Sequence, residues 1–240
     1  EVVGDLNAIS VLDKNSESQK QWLADISHEL RTPIAILKSE LEAVEDGIRE
    51  FDKETLQSLT HEVKRINNLV NDLYELTLAD LGAMKYQMRE MNIGSCLKEV
   101  IESYRDRLES SEIEIKELIN TEVAFLGDSY RLEQLFTNLI ENTLRYTDSP
   151  GKLEIHLKEN KEDILITFSD SEPGVDPDVM DKVFDRFFRE ELSRSREKGG
   201  AGLGLAICHE IVEAHSGKIN AAQSEHGGLS IQISLPKGDT

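Results

Sequence analysis

The feature that most limits the folds open to this chain is a pair of apolar runs spaced alternately by three and four residues. In residues 20–50, Leu23, Leu30, Leu37 and Val44 form one row. Ile34, Leu41 and Ile48 form a second, four residues after Leu30 and three before Leu37. That spacing is a coiled-coil seam. The second run, Leu56, Leu59, Val63, Ile66, Val70 and Leu73, has the same period and is widened by Leu69 and Leu76. Asp52 between them is placed as an N-cap, with Phe51 and Leu56 spaced as a hydrophobic staple. Two such helices on a short turn make an antiparallel hairpin. One hairpin cannot bury so wide a stripe, so the expectation is a homodimeric four-helix bundle, with a monomer packed on its own second domain as the alternative. Val3, Leu6, Ile9 and Leu12, three apart, read as a helix feeding the first bundle helix, which is expected to run to about Arg49.

The polar side of the first helix carries Asp25-Ile26-Ser27-His28-Glu29-Leu30-Arg31-Thr32-Pro33. His28 and Glu29 fall off both apolar rows, and Thr32 shares the face of His28 four residues on. Pro33 has no N–H, so the Glu29 carbonyl loses its helical donor and the helix can bend there. An outward histidine with an acid beside it has the makings of a reaction site.

After Gly82, and a linker over residues 84–91, the grammar changes. Asn92 to Ser110 reads as a helix, Ile113 to Leu118 and Val123 to Leu126 as strands, and Asp128 to Tyr146 as a helix. Three alternating runs follow: Leu153, Ile155, Leu157; Ile164, Ile166, Phe168; and Leu229, Ile231, Ile233, Leu235. Period-two runs with helices between them predict one mixed sheet covered by helices on a single face, an α+β sandwich.

Composition narrows the partners. A chain of 240 residues has room for one large domain or two small ones, and 38% hydrophobic residues support a packed core. A net charge of −20 argues against nucleic acid or an anionic membrane surface, which need a basic face. Cys96 and Cys208 have no metal-ligand spacing and read as buried free thiols of a reducing compartment. No apolar run approaches the roughly 18 residues of a membrane span. The chain opens mid-pattern at Glu1 without a methionine, so it reads as a fragment, and any membrane attachment is expected through segments it lacks.

Three stretches of the second half carry chemistry. Asn138 and Asn142 lie four apart on one helix, with Arg145 and Tyr146 at its end; carboxamide oxygens suit Mg²⁺, and a plain polar face is the alternative. Asp170-Ser171-Glu172-Pro173-Gly174 follows a strand directly, where a carboxylate can accept from an exocyclic amine. Gly199 to Gly204 opens an apolar helix, freeing backbone N–H groups for an anion without matching the P-loop or dinucleotide fingerprints. The densely charged stretch from Asp185 to Lys198 before it reads as a mobile lid.

Together these stretches, in this order, resemble the cytoplasmic catalytic portion of bacterial sensor histidine kinases, from about Ser16 to the end. The family has a HisKA-type dimerisation domain followed by a GHKL-type ATP-binding domain. The resemblance implies the end of a HAMP-type connector helix over residues 1–16, a dimerisation and phosphotransfer domain over 17–83, and an ATP-binding domain over 92–240. His28-Glu29-Leu30-Arg31-Thr32-Pro33 is similar to the phosphoacceptor box, which implies His28 as nucleophile, Glu29 as acid/base and Thr32 as a water-positioning residue in dephosphorylation. The asparagine box implies Asn142 as Mg²⁺ ligand and Asn138, Arg145 and Tyr146 as ATP neighbours. Asp170 and Gly174 match the adenine turn, Phe184 and Arg189 the phenylalanine box, and Gly200, Gly202, Leu203 and Gly204 the last glycine box.

The implied activity is ATP- and Mg²⁺-dependent phosphorylation of His28, then transfer to the receiver domain of a response regulator, in a homodimer forming the cytoplasmic portion of a bacterial inner-membrane protein. A neutral imidazole must attack, so activity is expected to fall in acid. Two readings compete. ATPases related to Hsp90 and gyrase carry a glutamate base where this chain has Asn138, an amide that takes no proton at neutral pH. A nucleotide-binding scaffold without phosphate transfer is the other. The family usually has Asp-x-Gly-x-Gly at the adenine turn; here Glu172 replaces the first glycine, which requires a backbone free of strongly positive φ. The remaining histidines, His61, His156, His209, His215 and His226, show no ligand spacing and read as structural or surface residues.

Overall fold

The computed structural model describes residues 2–120, 122–189 and 200–237, with side chains from residue 22 onward. Residues 190–198 of the expected lid, and Gly199, lie outside the described residues, as do Glu1 and the side chains of the expected connector helix. The chain divides into two units, Glu1–Tyr74 and Glu75–Thr240.

In the first unit, α1 (Val2–Glu45) runs without a break through Pro33, and α2 (Lys53–Asp80) begins as the N-cap signal requires. Asp52 Oδ1 accepts from Thr55 N at 2.8 Å, which holds its carboxyl below the usual range. Phe51 and Leu56, expected to staple this end, both stay exposed. Along α2 the heptad sorts itself by column. Leu69 is buried and Leu59 and Ile66 are half-buried, whereas Leu56, Val63 and Val70, seven apart, are about half exposed. On α1 Ile34 and Leu41 are likewise exposed, as is Ile48 in the turn after it; Leu30, Leu37 and Val44 are half-buried, and Leu23 at the head of their row is exposed. One hairpin thus covers one column of each helix and leaves a second column open.

In the second unit, β1 (Arg89–Asn92) pairs antiparallel with β3 (Ala124–Gly127) in a two-stranded sheet of their own. Residues 89–91 of the stretch read as linker therefore carry strand, and the 123–126 strand lies outside the main sheet. The main sheet holds β2 (Ile113–Ile119), β4 (Gly151–Glu159), β5 (Asp163–Ser171), β7 (Gly227–Pro236) and β6 (Lys218–Gln223) in that spatial order. Only the β2–β4 pair is parallel. Strand β6 went unread because Lys-Ile-Asn-Ala-Ala-Gln has no period-two apolar run.

The helices are α3 (Ile93–Ser110), α4 (Ser129–Tyr146) and α5 (Gly204–Ala214). Ile155 faces Phe168 across β4–β5, and Phe168 faces Ile231 across β5–β7; all three are buried. Leu132, Leu135, Phe136 and Leu139 of α4 close over them, with Phe136 stacked on Phe168 at 6.3 Å between centroids. The opposite sheet face is polar and carries Glu154, which draws in Lys116, His156 and His226 and titrates at about 2.

His215 ends α5 inside the core. Its Nε2 accepts from Asp128 N at 3.0 Å, so the ring proton sits on Nδ1, 2.8 Å from the Ile211 carbonyl. Asp128 in turn caps α4 through Arg131 N and holds the incoming chain through Gln87 N. Burial pushes the His215 imidazole below its ordinary value, so it folds neutral. The depressed value means its contribution is present above about 6.5 and is lost as pH falls through the lowered value. Urea midpoints should therefore fall more steeply between pH 7 and 5 in the wild type than in His215→Gln. His215→Ala, which strands the Asp128 N–H, should cost about 2–4 kcal/mol.

Candidate active site

His28 is exposed on α1, four residues before Thr32, whose Oγ1 donates to the His28 carbonyl at 3.3 Å. Glu29, the next residue, is half-buried, and neighbours on a helix diverge by about 100°. Pro33 behind them is buried. The result is an accessible imidazole on a continuous helix with a carboxylate as its chain neighbour.

The second unit holds the rest of the candidate residues. Alternation along β5 sends Ile164, Ile166 and Phe168 into the core, and the same parity carries Asp170 inward at the strand end. Asp170 is only 7% exposed, and burial raises its carboxyl to about 6 against the opposing hydrogen-bond donors around it. The Leu229 N–H donates to Oδ1 at 2.6 Å, Thr143 Oγ1 lies 3.4 Å from Oδ2, and the Thr147 hydroxyl is nearby. Gly228 permits this approach, since a Cβ there would overlap Asp170 Oδ1. A buried carboxylate with its far side occupied by main chain can accept one more donor from an amine on a flat ring.

The departure at Glu172 is harmless to the backbone. Among the described residues only Glu112, Phe187 and Ser216 are non-glycine with positive φ, so Glu172 needs no left-handed conformation. Its carbonyl accepts from Asp148 N at 2.9 Å, and its side chain lies against Gly227. Gly174 follows, with its Cα close to the Gly227 carbonyl.

On α4, Asn138 Nδ2 donates to the Gly204 carbonyl at 3.3 Å, tying the asparagine pair to the start of α5. Asn142 is half-buried one turn later on the same face, beside half-buried Arg145 and Tyr146. The Arg145 guanidinium lies against Gly200, where a Cβ would overlap its Nη1. Gly202 sits at φ 68 with its carbonyl accepting from Phe187 N at 2.9 Å; a Cβ there would meet the Phe187 and Phe188 main chain at 2.8 Å. Only glycine fits such a crossing. Phe184 packs on His209 at 6.0 Å between centroids, and Leu203 is buried. Arg189, half-buried, ends the described part of that segment.

These contacts join the asparagine, phenylalanine and glycine stretches at one edge of the second unit. The Leu229 N–H, Gly228, Thr143 and Thr147 were missed by the sequence reading. The two threonines repeat the four-residue spacing of Asn138 and Asn142, which was a usable signal; the β7 main chain left none.

The model of the "His Kinase A (phospho-acceptor) domain" matches residues 18–82. The model of the "Histidine kinase-, DNA gyrase B-, and HSP90-like ATPase" family matches residues 127–239. The signal transduction histidine-protein kinase BaeS of Escherichia coli (strain K12) is 47% identical over 227 residues, covering 95% of this chain and 49% of BaeS. The chain belongs to the sensor histidine kinases. The sensor protein SrrB of Staphylococcus aureus (strain MRSA252) is 34% identical over 92% of this kinase chain and 38% of its own length. The chain thus spans half or less of the curated relatives it matches. Among solved structures, the Acinetobacter baumannii histidine kinase AdeS superposes with a TM-score of 0.76 at 26% identity, over 88% of this chain and 98% of that one. No helix among the described residues is long and apolar enough to cross a membrane.

Proposed function

We propose that the chain is the catalytic core of a sensor kinase that moves the γ-phosphoryl group of ATP to His28 and then to an aspartate on a response-regulator receiver domain. The observation that carries the nucleotide half is Asp170, a buried carboxylate whose back is filled by the Leu229 N–H. The acceptor half rests on exposed His28 within the matched phospho-acceptor domain.

In the first step a ring nitrogen of His28 forms a bond to the γ-phosphorus as the bond to the β,γ-bridging oxygen breaks and ADP leaves. Glu29 takes the imidazole proton. In the second step a receiver carboxylate oxygen attacks the same phosphorus and the N–P bond breaks. Thr32 assists the reverse traffic by positioning water against the phosphorylated partner. There is little covalent work for the protein, so rate comes from positioning and charge. Asp170 accepts from the adenine amine, Tyr146 flanks the base, and Arg145, Arg189 and the Gly200–Gly204 main chain meet the phosphates. Asn142 is the residue to hold Mg²⁺, its amide oxygen being a hard donor and phosphates and water completing the shell. When bound, the ion offsets phosphate charge.

The ATPase reading fails on Asn138, whose amide donates to Gly204 and offers no base for water. Incubation with Mg²⁺ and γ-labelled ATP should give acid-labile, base-stable label on the protein. Nucleotide binding without label would favour the scaffold reading instead.

The open heptad columns support a homodimer. Ile34 and Leu41 on α1, Ile48 just after it, and Leu56, Val63 and Val70 on α2 are exposed apolar residues that a second hairpin would cover. Membrane attachment belongs to parts of the protein beyond this cytoplasmic portion. Equilibrium sedimentation should find a dimer, and the double change Leu41→Glu with Val63→Glu should give a folded monomer. A wild-type monomer at micromolar concentration would overturn this part.

A further inference from the structure

Asp170 does not meet the helix layer through carbon alone. Thr143 lies in the last turn of α4 and Thr147 follows four residues on, just past its end; they are 3% and 6% exposed. Thr143 Oγ1 points to Asp170 Oδ2 at 3.4 Å. Thr147 caps the helix, its own N–H bonded to the Thr143 carbonyl at 2.9 Å. Its methyl is wedged at Gly151, where a Cβ would come within 2.6 Å of Thr147 Cγ2. The hydroxyl is the other branch at the same Cβ. The oxygen is buried close to Asp170 and makes no well-formed hydrogen bond in the protein. A buried hydroxyl without a partner is costly, so its place beside a carboxylate calls for a role.

The chemistry of purines supplies one. A 6-amino purine presents an N–H donor to Asp170, whereas a 6-oxo purine presents a carbonyl oxygen. An ionised carboxylate accepts from the first and repels the second; a protonated carboxyl can donate to the second. Whatever keeps Asp170 an acceptor therefore sets which base is bound. Hydroxyl donors on its helix side do so, and they also fix the plane of the carboxylate.

We propose that Thr143 and Thr147 are specificity-determining positioning residues: their hydroxyls donate to Asp170, keep its carboxylate an acceptor aimed at a 6-amino purine, and so exclude 6-oxo purines. This rests on the adenine-reading role of Asp170 given above. Thr143 Oγ1 is already directed at Oδ2, and a rotation of the buried Thr147 hydroxyl would bring its proton to the same carboxylate, leaving the remaining lone pairs of Asp170 for the base amine.

The test uses the full chain with Mg²⁺ and equilibrium competition between ATP and GTP. Valine preserves the Thr147 methyl at Gly151 and removes only the hydroxyl. Thr143→Val with Thr147→Val should weaken ATP about tenfold or more, leave GTP unchanged or tighter, and so collapse the ATP-over-GTP ratio. The pH at which ATP binding is half lost should rise in the same variant. Serine at both positions should restore the ratio and the pH profile, which a packing role for the methyl would not. An unchanged ratio in a folded double variant overturns the proposal. Should the double variant not fold, each single valine variant is expected to lower the ratio by itself, and two single variants with wild-type ratios overturn it equally. Asp170→Asn separates the two claims. A wild-type ratio there sinks the adenine reading itself, whereas loss in Asp170→Asn with wild-type threonine variants sinks only the threonine proposal.

Discussion

Replacing His28 with alanine should remove at least about 99.9% of the label transferred from γ-labelled ATP while leaving ATP affinity within about twofold. In the proposed mechanism His28 supplies the nucleophile and has no structural task. It is exposed on α1, so its loss removes the attacking nitrogen without opening a cavity, and surface changes of this kind stay within about 0.5 kcal/mol in stability. Filter binding of label and calorimetric titration with ATP, run on the same preparation, check both halves. Label persisting at the wild-type level would move the acceptor to another residue. Loss of label together with loss of ATP binding would instead point to a structural role for His28.

The second large effect belongs to Asp170, and it has two opposite signs. Asp170→Asn should weaken ATP by about a hundredfold or more, because an amide placed against the base amine loses a charge-assisted acceptor and faces donor to donor. The same change should stabilise the nucleotide-free protein. The carboxyl of Asp170 is raised from 3.8 to about 6 in the folded state. Its favourable contribution is therefore full below about 3.8 and is lost as pH rises through about 6. At about 1.4 kcal/mol per pH unit, the gap corresponds to about 3 kcal/mol forgone at neutral pH, which asparagine recovers in part. Thermal melts without nucleotide should rise in the variant while titrations lose ATP binding. In the wild type, ATP binding should decline as pH falls below about 6, because a protonated carboxyl is a poorer acceptor. A variant that binds ATP normally would sink the role of Asp170. A site held at the expense of stability is what a functional carboxylate in an apolar core implies.

The two signs also explain why acid acts unevenly on this unit. Between pH 7 and 5, His215 loses its contribution as the imidazole is forced toward protonation, while Asp170 gains as its carboxyl neutralises. The wild type alone would show only the difference, so the single variants carry the information.

Much of the fold was legible because helices and alternating strands are local patterns. The heptad rows foretold both long helices, and Asp52, Asn92 and Asp128 each cap the helix that the sequence places after it. Where reading failed, the pattern was absent or the cause lay far along the chain. Strand β6 is short and rich in alanine, and β1 is a four-residue edge that exists through its partner β3 more than 30 residues away. Phe51 and Leu56 had staple spacing but both stay in solvent. Of the candidate site, the residue types and order were readable, whereas the positive φ of Gly202 and its main-chain crossing at Phe187 appear only in the fold.

By itself the sequence determined a helical hairpin with an outward His28, a sheet with helices on one face, and three stretches suited to a nucleotide; each follows from the period of side chains along a helix or strand. Only the tertiary structure decided what surrounds Asp170. The Leu229 N–H comes from 59 residues downstream, Gly228 leaves room for it, and Thr143 and Thr147 approach from another layer. Strand parity sends Asp170 inward, but burial and partners set its charge, and those are properties of neighbours brought together by folding.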